Sequence, residues 1–181
     1  LLHAMTTNDI QGLSPGQGTY AFFLNAQGRI LGDANVFCFE DHMLLDTEPE
    51  TRQKLYEHLD RYIIADDVAL EDVTTVVATV AVEGPDALAM LASLGAVIPE
   101  TVLAWSEWDG RTIARADSTG SGGCTIFLPA ADKPALIGQL ARAGAVEATP
   151  DDARIVRIEH GKPRYGEEIT ERYLVQETGQ L

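Results

Sequence analysis

The sequence predicts an α+β protein made of antiparallel sheets and helices, and three observations predict it. Residues 19–25 and 29–40 are rich in β-branched and aromatic side chains. They are joined by Asn25-Ala26-Gln27-Gly28, a hairpin pattern whose glycine supplies the positive-φ position. Residues 102–108 and 111–116 meet at Asp109-Gly110, the strongest short-range hairpin signal in the chain. Strand-like runs mostly follow one another through short turns and not through crossover helices, which favours antiparallel pairing.

Residues 1–5 read as the last turns of an apolar helix, and 8–18, rich in Asn, Asp, Ser, Pro and Gly, as a turn. After the first hairpin, 42–46 forms a third strand. Thr47-Glu48-Pro49-Glu50 starts a helix in which Thr47 caps, Glu50 completes the capping box and the proline sits in the first turn. Leu55, Leu59, Tyr62 and Ile63 lie along one face of it. Residues 68–83 carry two more strand-like runs. Gly84-Pro85 begins a short helix to Leu94, with Leu88, Leu91 and Leu94 at core spacing. Beyond the second hairpin, 124–129 is a strand and 132–143 a helix. Thr149-Pro150-Asp151-Asp152 caps a last helix that runs to about residue 160.

The theme of helix, strands and helix therefore occurs twice, which divides the chain into halves, 1–83 and 84–181. The ends are abrupt: an apolar helix tail at Leu1 and a polar stretch before Leu181. They read as the ends of a fragment, with the N-terminal part of the first half missing.

A chain of 181 residues is long enough for one domain or two small lobes with a real core. Hydrophobic residues make up 45% and charged residues 23%, the balance of a globular protein. No apolar run approaches the ~20 residues that span a bilayer, and no signal-peptide pattern is present. Cys38 and Cys124 are too few for a disulfide scaffold and have no metal-ligand spacing, so they read as free thiols in a reducing, cytoplasmic compartment. The formal net charge of −15 repels phosphate backbones, so no direct nucleic-acid partner is expected, and without a spanning apolar run no membrane partner is expected either. A local pocket for a small anionic ligand remains compatible with it.

Dinucleotide, Walker A and His-Glu-x-x-His signatures are absent. His3, His42, His58 and His160 are scattered without ligand spacing, so no metal site is expected. Gly120-Ser121-Gly122-Gly123 lacks the strand-to-helix setting of a nucleophile elbow and reads as a flexible loop tip. What stands out is a polar cluster in apolar company. Asn8 and Asp9 follow the apolar helix, and Asp33 interrupts the strand-like run 29–36. An aspartate there costs β-propensity and, if buried, desolvation. From the residues alone it either faces solvent or sits in a site. Gly32 beside it removes a side chain where another group approaches closely.

These segments carry a family resemblance. Thr7-Asn8-Asp9, Gly18-Thr19-Tyr20, the run from Leu24 to Asp33, the run from Leu59 to Val68, and Val82-Glu83-Gly84-Pro85-Asp86-Ala87 are similar to the folate-binding YgfZ and glycine-cleavage T-protein (aminomethyltransferase) superfamily. Arg157-Ile158-Glu159-His160-Gly161, Tyr165-Gly166 and Val175-Gln176-Glu177 resemble its final helix and following loop, so the likeness covers nearly the whole chain. The resemblance implies a duplicated, T-protein-like folate-binding fold with tetrahydrofolate as ligand.

It also implies that Asp33 is the catalytic carboxylate, close to the N5/N10 region of tetrahydrofolate, and that Asn8, Asp9, Tyr20 and Tyr165 bind the cofactor. An ionised carboxylate in a partly dry pocket stabilises an iminium or ammonium and orients the attacking nitrogen. Two positions depart from the transferase. Thr125 stands where the pterin-gripping glutamate is found, and Ala153 where an arginine is found. These departures turn the expectation toward a YgfZ-like protein that supports iron–sulfur cluster assembly or repair and iron–sulfur tRNA-modifying enzymes. Its partners would be folate and iron–sulfur enzymes. The alternative is a T-protein-like aminomethyltransferase working with a lipoyl carrier protein, and a further one is a non-catalytic module with a degenerate folate site.

Overall fold

The computed structural model describes residues 1–64 and 67–180. Ala65 and Asp66, in the family-like run from Leu59 to Val68, and Leu181 lie outside the described residues. The class is α+β, with two antiparallel sheets and helices. The chain forms two compact units, one of Leu1–Asp72 with Pro163–Leu181 and the other of Val73–Lys162. These units differ from the halves 1–83 and 84–181. The halves count a repeated order of elements, whereas the units record where the chain packs.

In the first unit, α1 (Leu2–Met5) leads into β1 (Gly18–Leu24), β2 (Ile30–Cys38) and β3 (Met43–Asp46), which pair in the order β1-β2-β3. The β1–β2 turn closes as its residues dictate. Gly28 takes φ 75°, and the Asn25 side chain accepts the backbone N–H groups of Gln27 at 3.0 Å and Arg29 at 2.9 Å. Phe23 pairs with Gly32 but Leu24 pairs with Ile30, so Leu31 is an extra residue in β2. That bulge re-aims the strand on either side of it. Phe23, Leu31, Ala34 and Val36 pack with Leu55 and Leu59 of α2 (Pro49–Asp60). Phe22 and Ile30 pack with Tyr165, Ile169 and Val175 from the returning tail. The sheet is thus covered by a helix on one face and by Tyr165, Ile169 and Val175 of the returning tail on the other. Gly32 serves the close approach expected of it, because a Cβ there would sit 3.2 Å from three carbons of Leu55.

The start of α2 differs from the sequence reading. Its N-cap is Glu48, and no side chain caps it. The Thr47 hydroxyl instead donates to the Asp33 carbonyl at 2.6 Å and meets the Thr51 hydroxyl at 2.8 Å. A tertiary acceptor has displaced the local cap. The second strand expected within 68–83 is likewise not formed. One strand, β4 (Val77–Glu83), occupies that stretch, and just before it the chain turns, with the N–H groups of Val76 and Val77 both donating to the Val73 carbonyl.

In the second unit the sheet order is β4-β7-β6-β5, with β5 (Trp105–Trp108), β6 (Arg111–Ala114) and β7 (Gly123–Pro129). Asp109 (φ 52°) and Gly110 (φ 73°) make the two-residue turn between paired Trp108 and Arg111, both central residues left-handed as a type I′ turn requires. Leu91 of α3 (Ala87–Ser93) and Leu136 and Leu140 of α4 (Lys133–Arg142) bury against Val80, Val82, Ile113, Cys124 and Ile126. Helix α5 (Pro150–Glu159) has the expected start, a capping box between Thr149 and Asp152 with proline in the first turn.

The glycine-rich stretch is held more firmly than a loop tip needs. The Glu83 carboxylate accepts Ser118 N–H at 2.7 Å and Thr119 N–H at 3.0 Å, and also both of their hydroxyls. Gly123 is buried, opens β7 and pairs with Glu83 at φ 153°. A Cβ at Gly123 would overlap the Val82 carbonyl oxygen, whereas one at Gly122 (φ 80°) would meet nothing within 4 Å. Gly122→Ala is therefore expected to cost about 1 kcal/mol, from backbone conformation alone. Gly123→Ala should cost roughly 3 kcal/mol or more, because β4 and β7 must part. Urea unfolding of the two variants measures the difference.

Candidate functional site

The face of the first sheet that carries Tyr20, Phe22 and Ile30 also carries the polar cluster. Phe22 pairs with Asp33, Tyr20 with Asn35, and Asn35 with Asp46, so residues on three neighbouring strands share this face. Asp33 is only 8% exposed, which settles its placement as a buried carboxylate. The Tyr20 hydroxyl donates to its Oδ2 at 2.6 Å, and the edge of the Phe22 ring packs on Tyr20 with centroids 5.0 Å apart. A phenol aimed at a buried carboxylate is a short, charge-assisted bond when the carboxylate is ionised.

Burial pushes the Asp33 carboxyl above the ordinary range. Tyr20's hydrogen bond opposes this, Glu48 adds to it and Arg164 counters it. Burial beside the same carboxylate raises the Tyr20 phenol, so it remains a donor. Asp46 is pushed up to about 6, first by burial and then by Glu48 and Asp33, against a hydrogen bond from Asn35. Glu48 thus raises the affinity of both Asp33 and Asp46 for a proton, and Arg164 pairs with Glu48. Arg164 Nη2 donates to Glu48 at 2.7 Å and to Glu50 at 3.1 Å, while its Nη1 reaches Glu167 at 3.2 Å.

The five residues expected at the site fall differently. Asn8 joins the cluster through the backbone, its Nδ2 donating to the Tyr20 carbonyl at 3.1 Å. Asp9 is directed elsewhere. Its carboxylate accepts Gly12 N–H at 3.1 Å and lies 3.4 Å from His3. Tyr165 is buried in the apolar cluster with Phe22 and Ile30, its hydroxyl 3.4 Å from both the Ile30 carbonyl and Lys54 Nζ. Sequence reasoning missed Asp46, Asn35, Glu48 and Arg164. The period-2 spacing of Asp33 and Asn35 was a usable signal for one shared face.

In the second unit, Thr125 is buried and its hydroxyl donates to the Ala116 carbonyl at 3.1 Å. Ala153 lies in α5. Among the described residues no group of three or more His, Cys, Asp or Glu side chains could hold a metal ion. None of the described helices is long and apolar enough to cross a membrane.

A buried, phenol-bonded carboxylate on an antiparallel sheet covered by the returning tail marks a class of α+β domain whose chemistry suits accepting a proton or balancing a positive charge. The comparisons with known proteins give that class its family. The GCVT N-terminal domain matches residues 1–180. An aminomethyltransferase of Rubrobacter xylanophilus is 29% identical over 184 residues, covering 98% of this chain and 50% of that protein. The aminomethyltransferase of Synechococcus elongatus is 32% identical over 183 residues, 93% of this chain and 48% of that one. The crystal structure of glycine cleavage system aminomethyltransferase T from Bartonella henselae superposes with a TM-score of 0.81 at 26% identity, covering 94% of this chain and 48% of that one. The chain belongs to the GCVT N-terminal domain family, within the folate-binding aminomethyltransferase superfamily. It spans about half the length of the curated relatives it matches.

Two predictions follow from the electrostatics. Removing the phenol in Tyr20→Phe deletes the interaction that favours the charged form, so the Asp33 carboxyl should titrate at higher pH than in the parent chain. Carboxyl 13C NMR reads this directly, and a downward shift would contradict it. Asp46 has a folded-state value above its unfolded one, so the folded state holds the proton more tightly. Its favourable contribution is complete below about pH 4 and is lost as pH rises through about 6. Asp46→Asn should therefore gain stability relative to the parent across that window, by up to about 3 kcal/mol at neutral pH, in urea unfolding at pH 4 and pH 7.

Proposed function

We propose that this chain is the folate-handling half of an aminomethyltransferase-type enzyme that transfers a one-carbon unit to tetrahydrofolate. The observation that carries the reading is the buried Asp33 carboxylate held by the Tyr20 hydroxyl at 2.6 Å, in a domain whose curated relatives are named aminomethyltransferases.

The donor set fits the amine side of such a ligand. Asp33 and Tyr20 would hold it there, and Asn8 fixes the Tyr20 backbone through its carbonyl. When bound, tetrahydrofolate supplies the nucleophilic nitrogen. Asp33 orients that N–H, accepts its proton or balances positive charge developing beside it, and burial strengthens this interaction relative to water. Tyr20 fixes which carboxylate oxygen faces the ligand, since its hydroxyl occupies Oδ2. The apolar cover from Ile169 and Val175 limits water on this face.

The pterin side fits less well. A pterin's paired N–H groups call for two acceptor oxygens, and Thr125 offers one hydroxyl already committed to Ala116. That observation favours a second reading, a YgfZ-like protein that keeps a folate ligand, serves iron–sulfur or tRNA-modifying enzymes and lacks transfer activity. Substrate exchange separates the two. Calorimetric titration with tetrahydrofolate should show binding that Asp33→Asn weakens at least tenfold, about 1.4 kcal/mol. Glycine exchange with a lipoyl carrier protein should then be measurable under the transferase reading. Folate binding without exchange moves the assignment to the second reading, and no folate binding at all overturns both.

A further inference from the structure

Asp33 lies in the middle strand, yet the strand that should pair with it on one side stops short. Phe22, its partner on β1, turns its own backbone away from β2. The Phe22 N–H donates to the Thr7 hydroxyl at 3.0 Å, and its carbonyl accepts the Thr7 N–H at 3.1 Å. In an antiparallel ladder such a pair exchanges no hydrogen bonds, so the Asp33 carbonyl points toward β3. There the strand has ended. Asn35 pairs with Asp46, the last residue of β3, and two steps further the register would bring residue 48 opposite Asp33, where the chain already turns into α2. The missing donor is a side chain, the Thr47 hydroxyl, 2.6 Å from the Asp33 carbonyl oxygen.

Counting protons extends the connection. A threonine hydroxyl has one proton, and Thr47 directs its own at Asp33. The 2.8 Å contact between Thr47 and Thr51 is therefore donated by Thr51. The other acceptor in reach of Thr51 is the Glu48 carbonyl at 3.0 Å. That carbonyl already receives the N–H groups of Thr51 at 3.0 Å and Arg52 at 3.2 Å, so it does not depend on the hydroxyl. Thr51 is 1% exposed, so water does not reach it. Two hydroxyls in series, each polarising the next, run from the first turn of α2 to the Asp33 backbone.

We propose that Thr47 and Thr51 are positioning residues for Asp33: their hydroxyl relay stands in for the missing strand and fixes the Asp33 backbone where its carboxylate meets the Tyr20 hydroxyl. The proposal rests on the reading of Asp33 as the functional carboxylate and adds what holds it in place. The 2.6 Å bond from Tyr20 approaches from β1, whereas the relay approaches from α2, so both neighbouring elements set the geometry of one residue.

Valine has the shape of threonine and lacks only the hydroxyl. Thr47→Val should loosen the Tyr20 bond, which favours the ionised carboxylate, so Asp33 should titrate at higher pH than in the parent chain. Thr47→Ser should return it. In a Tyr20→Phe background Thr47→Val should have no further effect, because the bond through which it acts is gone. Thr51→Val should shift Asp33 in the same direction by less. Besides Tyr20 on β1, the groups that act on the charge of Asp33 are Asp46 on β3, Glu48 at the start of α2 and Arg164 in the tail, all retained in every variant. 13C-carboxyl NMR on the unliganded 181-residue chain reads the titrations, with Asp33→Asn assigning the signal and urea unfolding run beside it.

A loss of stability with Asp33 titrating as in the parent marks a purely structural staple and overturns the proposal. So does a shift that serine fails to reverse, or one of equal size with and without the Tyr20 hydroxyl. Should Thr47→Val not fold, Thr51→Val decides alone, and an unmoved Asp33 refutes the relay. Tetrahydrofolate titration of the parent chain is a separate arm. No binding defeats the folate reading and leaves the relay standing, and binding with an unmoved Asp33 titration in the variants does the reverse.

Discussion

A carboxylate in the middle strand of a three-stranded sheet can exist only if its surroundings replace the water it gave up. Around Asp33 this replacement comes from every direction that the first unit offers. Tyr20 on β1 supplies the hydrogen bond to the carboxylate. Thr47, at the end of β3, takes the backbone carbonyl. The bulge at Leu31 turns Ile30 onto the same face as Asp33, and the returning tail then covers that face with Tyr165, Ile169 and Val175. An unpaired buried charge of this kind costs several kcal/mol, so the tail, the bulge and the displaced helix cap are parts of one solution.

The two faces of β2 divide the labour. One is ordinary core: Phe23, Leu31, Ala34 and Val36 against α2, with Gly32 letting Leu55 come close. The other mixes aromatic packing with Asp33, Asn35 and Asp46, while Arg164 pairs with Glu48 at the start of α2. The second unit has no comparable cluster among its described residues. Its polar investment goes into structure: Glu83 pins Ser118 and Thr119, Gly123 lets β7 meet β4, and Thr125 spends its hydroxyl on Ala116.

Much of this was legible in the sequence because it is local. Asn25 to Gly28 and Asp109-Gly110 encode their turns through left-handed residues, and Thr149 and Asp152 encode a cap, with no help from distant contacts. Asp33 announced itself by being wrong for its strand, and Tyr20 by the family-like hairpin. What could not be read depends on long-range packing. Thr47 has the sequence of a cap and the partner of a tertiary contact. The tail's return to the first sheet, where Tyr165 meets Ile30 across a separation of 135 residues, leaves no periodic signal, so Arg164 and Glu48 stay hidden in the sequence. Tyr165 was visible as a residue, but its burial beside Ile30 was not. The expectation of a YgfZ-like role rests on two positions, Thr125 and Ala153, whereas the match over residues 1–180 carries the GCVT N-terminal domain family and no branch within it.

The central claim is that the Asp33 carboxylate on the covered face of the first sheet is the group that meets the reacting nitrogen. A crystal structure of the chain with tetrahydrofolate tests it most directly. The account predicts the N5/N10 region within hydrogen-bonding distance of Asp33, about 3 Å, with the Tyr20 bond to Oδ2 preserved. Folate ordered elsewhere on the protein, with Asp33 still closed off beneath the tail, would contradict it.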